Sequence, residues 1–231
     1  MRVLVTAKAP VAGRVKTRLA ATVGAQAAAE VAAAALLDTL EACAAAVGPE
    51  RCHLAVDGDL LQAVRGPELV AMLEGWTVTP QRGEGFAARL VAAHADAGEG
   101  PVAQVGMDTP QLTASHLAEV FTELVAHDAV LGPADDGGWW VLARRSSAHV
   151  EPVGAVVMSE PTTGAHTRAA LTDQGLTVGT TRVLRDVDTA EDADAVAALV
   201  PWGRFAHAWE RARSAAAQSD QPAPAVVRSP R

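Results

Sequence analysis

Four basic side chains and a glycine, Lys8, Gly13, Arg14, Lys16 and Arg18, lie within eleven residues directly after the apolar run Val3-Leu4-Val5. That run predicts a buried strand, and open α/β sheets bind ligands beyond the carboxyl ends of their strands. Cations gathered there point to a polyanion. Gly13 would let the backbone approach a phosphate, and Arg14, Lys16 and Arg18 would bring charge to it. The plainer alternative is a solvated basic loop. A Walker loop does not fit, because Lys16-Thr17 lacks the glycine that should precede it. The concentration stands out because the 231-residue chain carries a formal net charge of −8.

Three later segments offer the counterpart. Val105-Gly106-Met107-Asp108-Thr109-Pro110 reads as a strand that delivers Asp108 to its carboxyl end. Magnesium takes one or two carboxylates and completes its shell with waters and phosphates, so Asp108 opposite a phosphate loop is a sufficient ligand. As an alternative, Asp108 is an ordinary turn residue. The segment from Gly132 to Trp140 packs Asp135, Asp136, Gly137, Gly138 and Trp139 together. Asp136-Gly137 predicts a tight turn. The Gly137-Gly138 pair would also admit a substrate close to the backbone, with one indole as an apolar wall. Strand alternation turns at most one of Trp139 and Trp140 toward such a pocket, leaving the other to the core. In Arg185-Asp186-Val187-Asp188-Thr189, the two acids share a side of an extended segment and are candidates for a second metal ligand. Thr189, with Glu191 and Asp192 after it, reads instead as a helix cap and first turn.

Elements to position these residues are legible as strand-length apolar runs alternating with helical stretches, the pattern of βαβ units around a mainly parallel sheet. Strands are expected at 2–7, 53–56, 76–79, 102–106, 129–131 and 139–143, with an edge strand at 183–187. Helices are expected at 16–22, 24–47, 86–97, 113–126 and 191–200. In the longest, Val31, Leu37, Leu40 and Val47 mark one buried face. The fold class is therefore α/β, a single-domain three-layer sandwich over residues 1–213. The Ser-, Gln- and Pro-rich stretch 214–231 is expected to be a disordered tail. The acidic balance argues against nucleic-acid and membrane-surface partners, which need extended basic faces. No signal peptide or membrane span is evident, so a cytoplasmic location is expected. Cys43 and Cys52 are isolated and read as buried thiols, not a disulfide framework or a zinc site. Gly83-Glu84-Gly85-Phe86-Ala87-Ala88 has the outline of a dinucleotide loop, but Pro80-Gln81-Arg82 separates it from the preceding strand.

The stretches KAPVAGRVKTRL, GMDTPQL, GPADDGGWWVLA and DVDTAED, in this order, resemble a family of small bacterial transferases with the nucleotide-diphospho-sugar transferase (glycosyltransferase-A type) fold. Its members are often described only as uncharacterised or as radical-SAM-associated glycosyltransferases. The resemblance covers residues 1 to about 200 and extends more distantly to guanylyltransferases of molybdenum-cofactor and phospholactate metabolism. It implies that Gly13, Arg14, Lys16 and Arg18 hold nucleotide phosphates, that Asp108 binds the metal, and that Asp186 or Asp188 is the second acidic ligand. It also implies roles for Gln81 and Arg89, which keep the family's separation although Gly85-Phe86-Ala87-Ala88 replaces the usual sequence between them. Trp139 stands where the family has tyrosine, and Met158 where it often has tryptophan before Ser159. These departures fall on the base or acceptor side.

The expected activity is a magnesium-dependent transfer from a nucleotide-activated substrate, with manganese as a substitute metal. The leading form is nucleotidyl transfer from a nucleoside triphosphate to a small phosphorylated or anionic acceptor, with Lys16 and Asp108 as the catalytic pair and pyrophosphate leaving. Lys8, Asp136, Gly137, Gly138 and Trp139 complete the candidate binding set. Glycosyl transfer from a nucleotide sugar is the alternative, and a non-catalytic nucleotide-binding domain the next. No protein nucleophile is needed for such chemistry, and none is evident.

Overall fold

Val3, Leu4 and Val5 have no solvent exposure, and their strand lies at the centre of the sheet because it is apolar on both faces. The computed structural model describes residues 1–219. The strands are β1 (Arg2–Lys8), β2 (Cys52–Asp57), β3 (Thr77–Pro80), β4 (Val102–Val105), β5 (Ala129–Pro133), β6 (Trp139–Arg144) and β7 (Val178–Thr180). The helices are α1 (Thr17–Val23), α2 (Ala25–Val47), α3 (Gly66–Met72), α4 (Gly85–Asp96), α5 (Ala114–Ala126), α6 (Thr163–Thr172), α7 (Ala190–Leu199) and α8 (Arg204–Ser219).

The sheet order is β3-β2-β1-β4-β6-β5-β7, with β6 antiparallel to both neighbours and every other pair parallel. The three-layer α/β sandwich expected from the alternation is therefore present. The chain leaves β1 toward β2 on one side, while β4 pairs on the other. The loops after β1 and β4 thus emerge side by side at a topological switch point, where such sheets form ligand crevices. Among the described residues no helix is long and apolar enough to cross a membrane.

Four elements differ from the sequence expectation. The predicted single face of α2 is split: Leu36, Leu37 and Leu40 pack on the sheet, whereas Val31, Ala34 and Ala35 pack under Phe205 and Trp209 of α8. The alanines of α2 are small enough to let both layers approach. The edge strand beside β5 is β7, not residues 183–187, which add one isolated bridge, Leu184 to Ala134 just beyond β5, with the Leu184 N–H donating to the Pro133 carbonyl at 3.2 Å. The Arg182 and Arg185 carbonyls are instead taken by Trp140 Nε1 (2.9 Å) and Gln111 Nε2 (2.5 Å), so side chains displace the ladder. The residues 16–22 expected as helical begin their helix at Thr17, because Lys16 holds a left-handed backbone. Finally, α8 continues to Ser219, past the boundary placed at Arg213, since Ala215-Ala216-Ala217 favours helix. The rest of the expected disordered tail, residues 220–231, lies outside the described residues.

Cys43 and Cys52 are buried free thiols, as read from their isolation. Burial, with help from Glu50, pushes the Cys52 thiol up to about 12. A second buried polar centre closes β6: the Arg144 guanidinium donates to the carbonyls of His94 (2.7 Å), Gly98 (2.7 Å) and Gly100 (2.5 Å). It pins the end of α4 and the turn after it to the sheet.

Candidate functional site

The loop after β1 turns at Gly13 (φ +78°) and enters α1 through Lys16, whose φ of 49° and ψ of 46° lie in the left-handed region. A lysine adopts that conformation only where surrounding contacts hold it. Here they do. Lys16 Nζ lies 2.6 Å from Asp108 Oδ1 and 3.1 Å from Asp188 Oδ1, and donates to the Val187 carbonyl at 2.5 Å. The Val187 N–H donates in turn to the Asp108 carbonyl at 2.8 Å, fastening the segment before α7 to the loop after β4. Arg18 Nη1 reaches Asp188 Oδ2 at 3.4 Å. Three segments far apart in sequence thus meet on one ammonium.

The Lys16 side chain is only 8% exposed, while those of Asp108 and Asp188 are 41% and 43% exposed. Burial alone would push the Lys16 ammonium down; the Asp108 and Asp188 carboxylates more than offset it and hold its pKa above the ordinary value. Asp186 lacks such a partner. Burial first, then the Asp136, Asp188 and Asp108 carboxylates, push its carboxyl up to about 6, partly countered by a hydrogen bond from its own N–H.

Around this junction the surface opens into two lobes. One, of about 460 Å³, is lined by Lys8, Arg14, Lys16, Arg18, Gln81 and Arg89. The other, of about 400 Å³, is lined by Gln104, Asp136, Trp139, Trp140, Glu160 and Asp186, with Gly138 beside them. Thr6, Arg18, Phe86, Gly106, Asp108, Ser159 and Asp188 border both. The first lobe is cationic. The second carries acids and, apart from Arg18 at the shared edge, no cation.

Most sequence-predicted residues are therefore brought together, with corrections. Gly13 does not line either lobe; a Cβ there would meet open space, so the residue serves the turn. Gly137 was expected to admit a substrate, but a Cβ on it would collide with the Pro161 carbonyl, and its own carbonyl accepts from the Gly164 N–H at 2.9 Å. It packs the β5–β6 turn onto the start of α6. The Asp136 turn is present, with Oδ1 accepting from the Gly138 N–H at 2.7 Å. Gln81 spends its amide N–H groups on the Ala7 and Ala55 carbonyls, each at 3.0 Å, and so braces β1 and β2 as well as facing the lobe. Arg89 is held by Asp57 at 3.0 Å. Both tryptophans reach the second lobe, but Trp140 is otherwise core (3% exposed), so the alternation expectation holds for its ring body and fails for its edge. Thr189 does cap α7, in a reciprocal pair with Asp192, which leaves Asp188 free for Lys16.

Sequence reasoning missed Thr6, Gln104, Ser159 and Glu160. Ser159 has a left-handed φ of 65° at the border of both lobes, a strained position with no signature in Met158-Ser159-Glu160. Thr6 and Gln104 look like ordinary strand residues. Among the described residues no three His, Cys, Asp or Glu side chains are grouped so as to hold a metal ion by themselves. The donor set still fits a hard divalent cation that keeps waters and phosphate oxygens in its shell, because Asp108 and Asp188 already converge on a single positive charge.

A seven-stranded mixed sheet with this order and a cleft at its switch point defines the nucleotide-diphospho-sugar transferase fold. One crystal structure of this fold, from Desulfovibrio desulfuricans G20 and provisionally described as a nucleotide-diphospho-sugar transferase, superposes with a TM-score of 0.80 at 23% identity. The match covers 96% of this chain and 100% of that one. A CMP:2-keto-3-deoxy-manno-octonic acid synthetase complexed with CTP gives 0.54 at 13% identity, covering 87% and 99%. A Mycobacterium tuberculosis H37Rv protein in complex with manganese gives 0.51 at 20% identity, covering 85% and 97%. At these identities the likeness is one of fold. The family profile for uncharacterized proteins conserved in bacteria (DUF2064) matches residues 39–160, and the chain belongs to that family. No curated protein matches it.

Proposed function

We propose that this protein is a divalent-cation-dependent transferase acting on a nucleotide-activated substrate, with nucleotidyl transfer from a nucleoside triphosphate as its leading chemistry. The observation that carries this is Lys16 seated between Asp108 and Asp188 at the edge of a lobe holding four further cations, Lys8, Arg14, Arg18 and Arg89. That lobe matches a triphosphate in charge, and the junction matches a cation that bridges carboxylates to phosphates. A protein of the same fold has been crystallised with CTP, which supports a nucleotide as the ligand class.

In this reading Lys8, Arg14 and Arg18 bind the phosphates electrostatically, and Gln81 with Arg89 limits where the nucleoside lies. Lys16 leaves its carboxylates for the phosphate chain, as a buried lysine freed of its partners must find new ones. Asp108 and Asp188 would hold magnesium, for which manganese substitutes. Such an ion neutralises the charge that develops on phosphate oxygens. The protein otherwise positions the reactants, and no side-chain nucleophile is required. The domain that does this runs through α8, past the boundary expected at 213, and nucleotide donors imply a cytoplasmic location.

Glycosyl transfer from a nucleotide sugar is the second reading, favoured by the second lobe: nucleotidyl transfer is expected to use a phosphorylated or anionic acceptor, whereas this lobe is lined by Asp136, Glu160 and Asp186. Incubating the protein with magnesium and each nucleoside triphosphate or nucleotide sugar, plus an acceptor panel, separates the two. Pyrophosphate release supports nucleotidyl transfer, and nucleoside diphosphate release from a sugar donor assigns glycosyl transfer. Binding of donors without turnover across both panels contradicts a transferase.

A further inference from the structure

The second lobe has a chemical signature of its own. Its floor carries Gln104, 1% exposed, and Thr109, 2% exposed. Gln104 spends its amide nitrogen on Thr6 Oγ1 at 2.9 Å, but its Oε1 has no hydrogen-bond partner among the described residues, and neither does Thr109 Oγ1. Buried polar oxygens without partners are uncommon in folded proteins, and these two make the floor of the lobe rich in acceptors. The walls add the carboxylates of Asp136, Glu160 and Asp186, and the Trp139 ring closes one side. The Trp139 indole N–H is already held by Thr167 Oγ1 at 3.3 Å, which fixes the ring and leaves it an apolar surface. Away from Arg18 at the edge shared with the first lobe, the charges here are negative and accept hydrogen bonds.

Resting on the transferase reading, we infer that this lobe takes an unphosphorylated acceptor rich in hydrogen-bond donors, a hydroxyl- or amine-bearing ring that lays an apolar face on Trp139. A phosphate would bring acceptor oxygens and like charge to a wall of acids, which disfavours it. Hydroxyls or an ammonium satisfy the carboxylates directly, and ring carbons or an ammonium suit an indole face. In the leading chemistry the acceptor oxygen or nitrogen forms a bond to the α-phosphorus. The bond from that phosphorus to the bridging oxygen breaks, its electron pair leaves in pyrophosphate, and the acceptor's proton passes to the surrounding carboxylates.

The test is calorimetric titration of the full chain with magnesium and α,β-methylene nucleoside triphosphates, using myo-inositol and glucosamine against myo-inositol 1-phosphate and glucosamine 6-phosphate. At least one unphosphorylated parent should bind about ten-fold more tightly than its phosphate, and which parent wins separates polyol from amine recognition. Glu160→Lys, at an exposed position, should erase or invert that preference while nucleotide affinity stays unchanged. Trp139→Ala should weaken the parent by about ten-fold. Tighter binding of the phosphates by the unaltered protein, or binding of neither parent by protein that holds nucleotide, overturns the inference. Absence of nucleotide binding is a separate result and refutes the underlying transferase reading.

Discussion

Asp186 is poised for function at the expense of stability, and its replacement measures the conflict. Its carboxyl sits near 6, against an ordinary value of 3.8. At about 1.36 kcal/mol per unit, a native pKa raised by roughly two units destabilises the ionised protein by at most ~3 kcal/mol. Partial solvent access halves this to about 1.5 kcal/mol. Asp186→Asn removes the charge and keeps an oxygen to accept the backbone N–H. Because the folded form holds the proton more tightly, the penalty is full above pH 7 and fades as pH falls from about 6 toward 4. Differential scanning calorimetry of the metal-free protein should show the variant melting about 3–6 °C higher at pH 7.5, and about three-fifths of that gain at pH 4.5. The same variant should bind the acceptor more weakly, because Asp186 lines the second lobe. His94, buried and held down to about 3 by burial and by Arg144, makes both proteins acid-sensitive, but it is common to the two and cancels. A variant that melts lower at pH 7.5, or a gain that does not change with pH, would refute this account of Asp186.

Gly137→Ala should destabilise the fold by about 2–4 kcal/mol in urea unfolding, because φ is +88° and the new methyl would meet the Pro161 carbonyl. Gly13→Ala, also at positive φ but in open space, should cost about 1 kcal/mol and leave the cleft intact. Arg144→Met should cost about 3 kcal/mol or more, read by the same unfolding, since three buried carbonyls lose their donor.

What the sequence revealed was what depends on neighbours in the chain. Val3-Leu4-Val5 declares a central strand through its own apolarity, and the glycines and acids of 134–138 declare a turn. Asp108 and Lys16 were legible as a pair because each follows a buried strand, and strands of one sheet deliver their loops to one edge. The partner that splits the buried face of α2 was not legible, since Phe205 and Trp209 lie some 170 residues away. Residues 183–187 have strand-like composition, but Trp140 and Gln111 take the carbonyls a ladder would use. Gly137 looked like a ligand contact because turn glycines and ligand-approach glycines are identical in sequence. The acidity of the second lobe emerges only when Asp136, Glu160 and Asp186, from three separate segments, are placed around one cavity.

The seat of Lys16 offers the most direct test of the central claim. If its ammonium occupies the position of a divalent cation and moves to phosphates, Lys16→Met should change two affinities in opposite directions. Calorimetric titration of nucleotide-free protein with manganese should show about ten-fold tighter metal binding, as Asp108 and Asp188 lose their competing cation. Titration with nucleoside triphosphate should show binding at least ten-fold weaker. Unchanged affinity for both, or a parallel loss of both, would contradict the account.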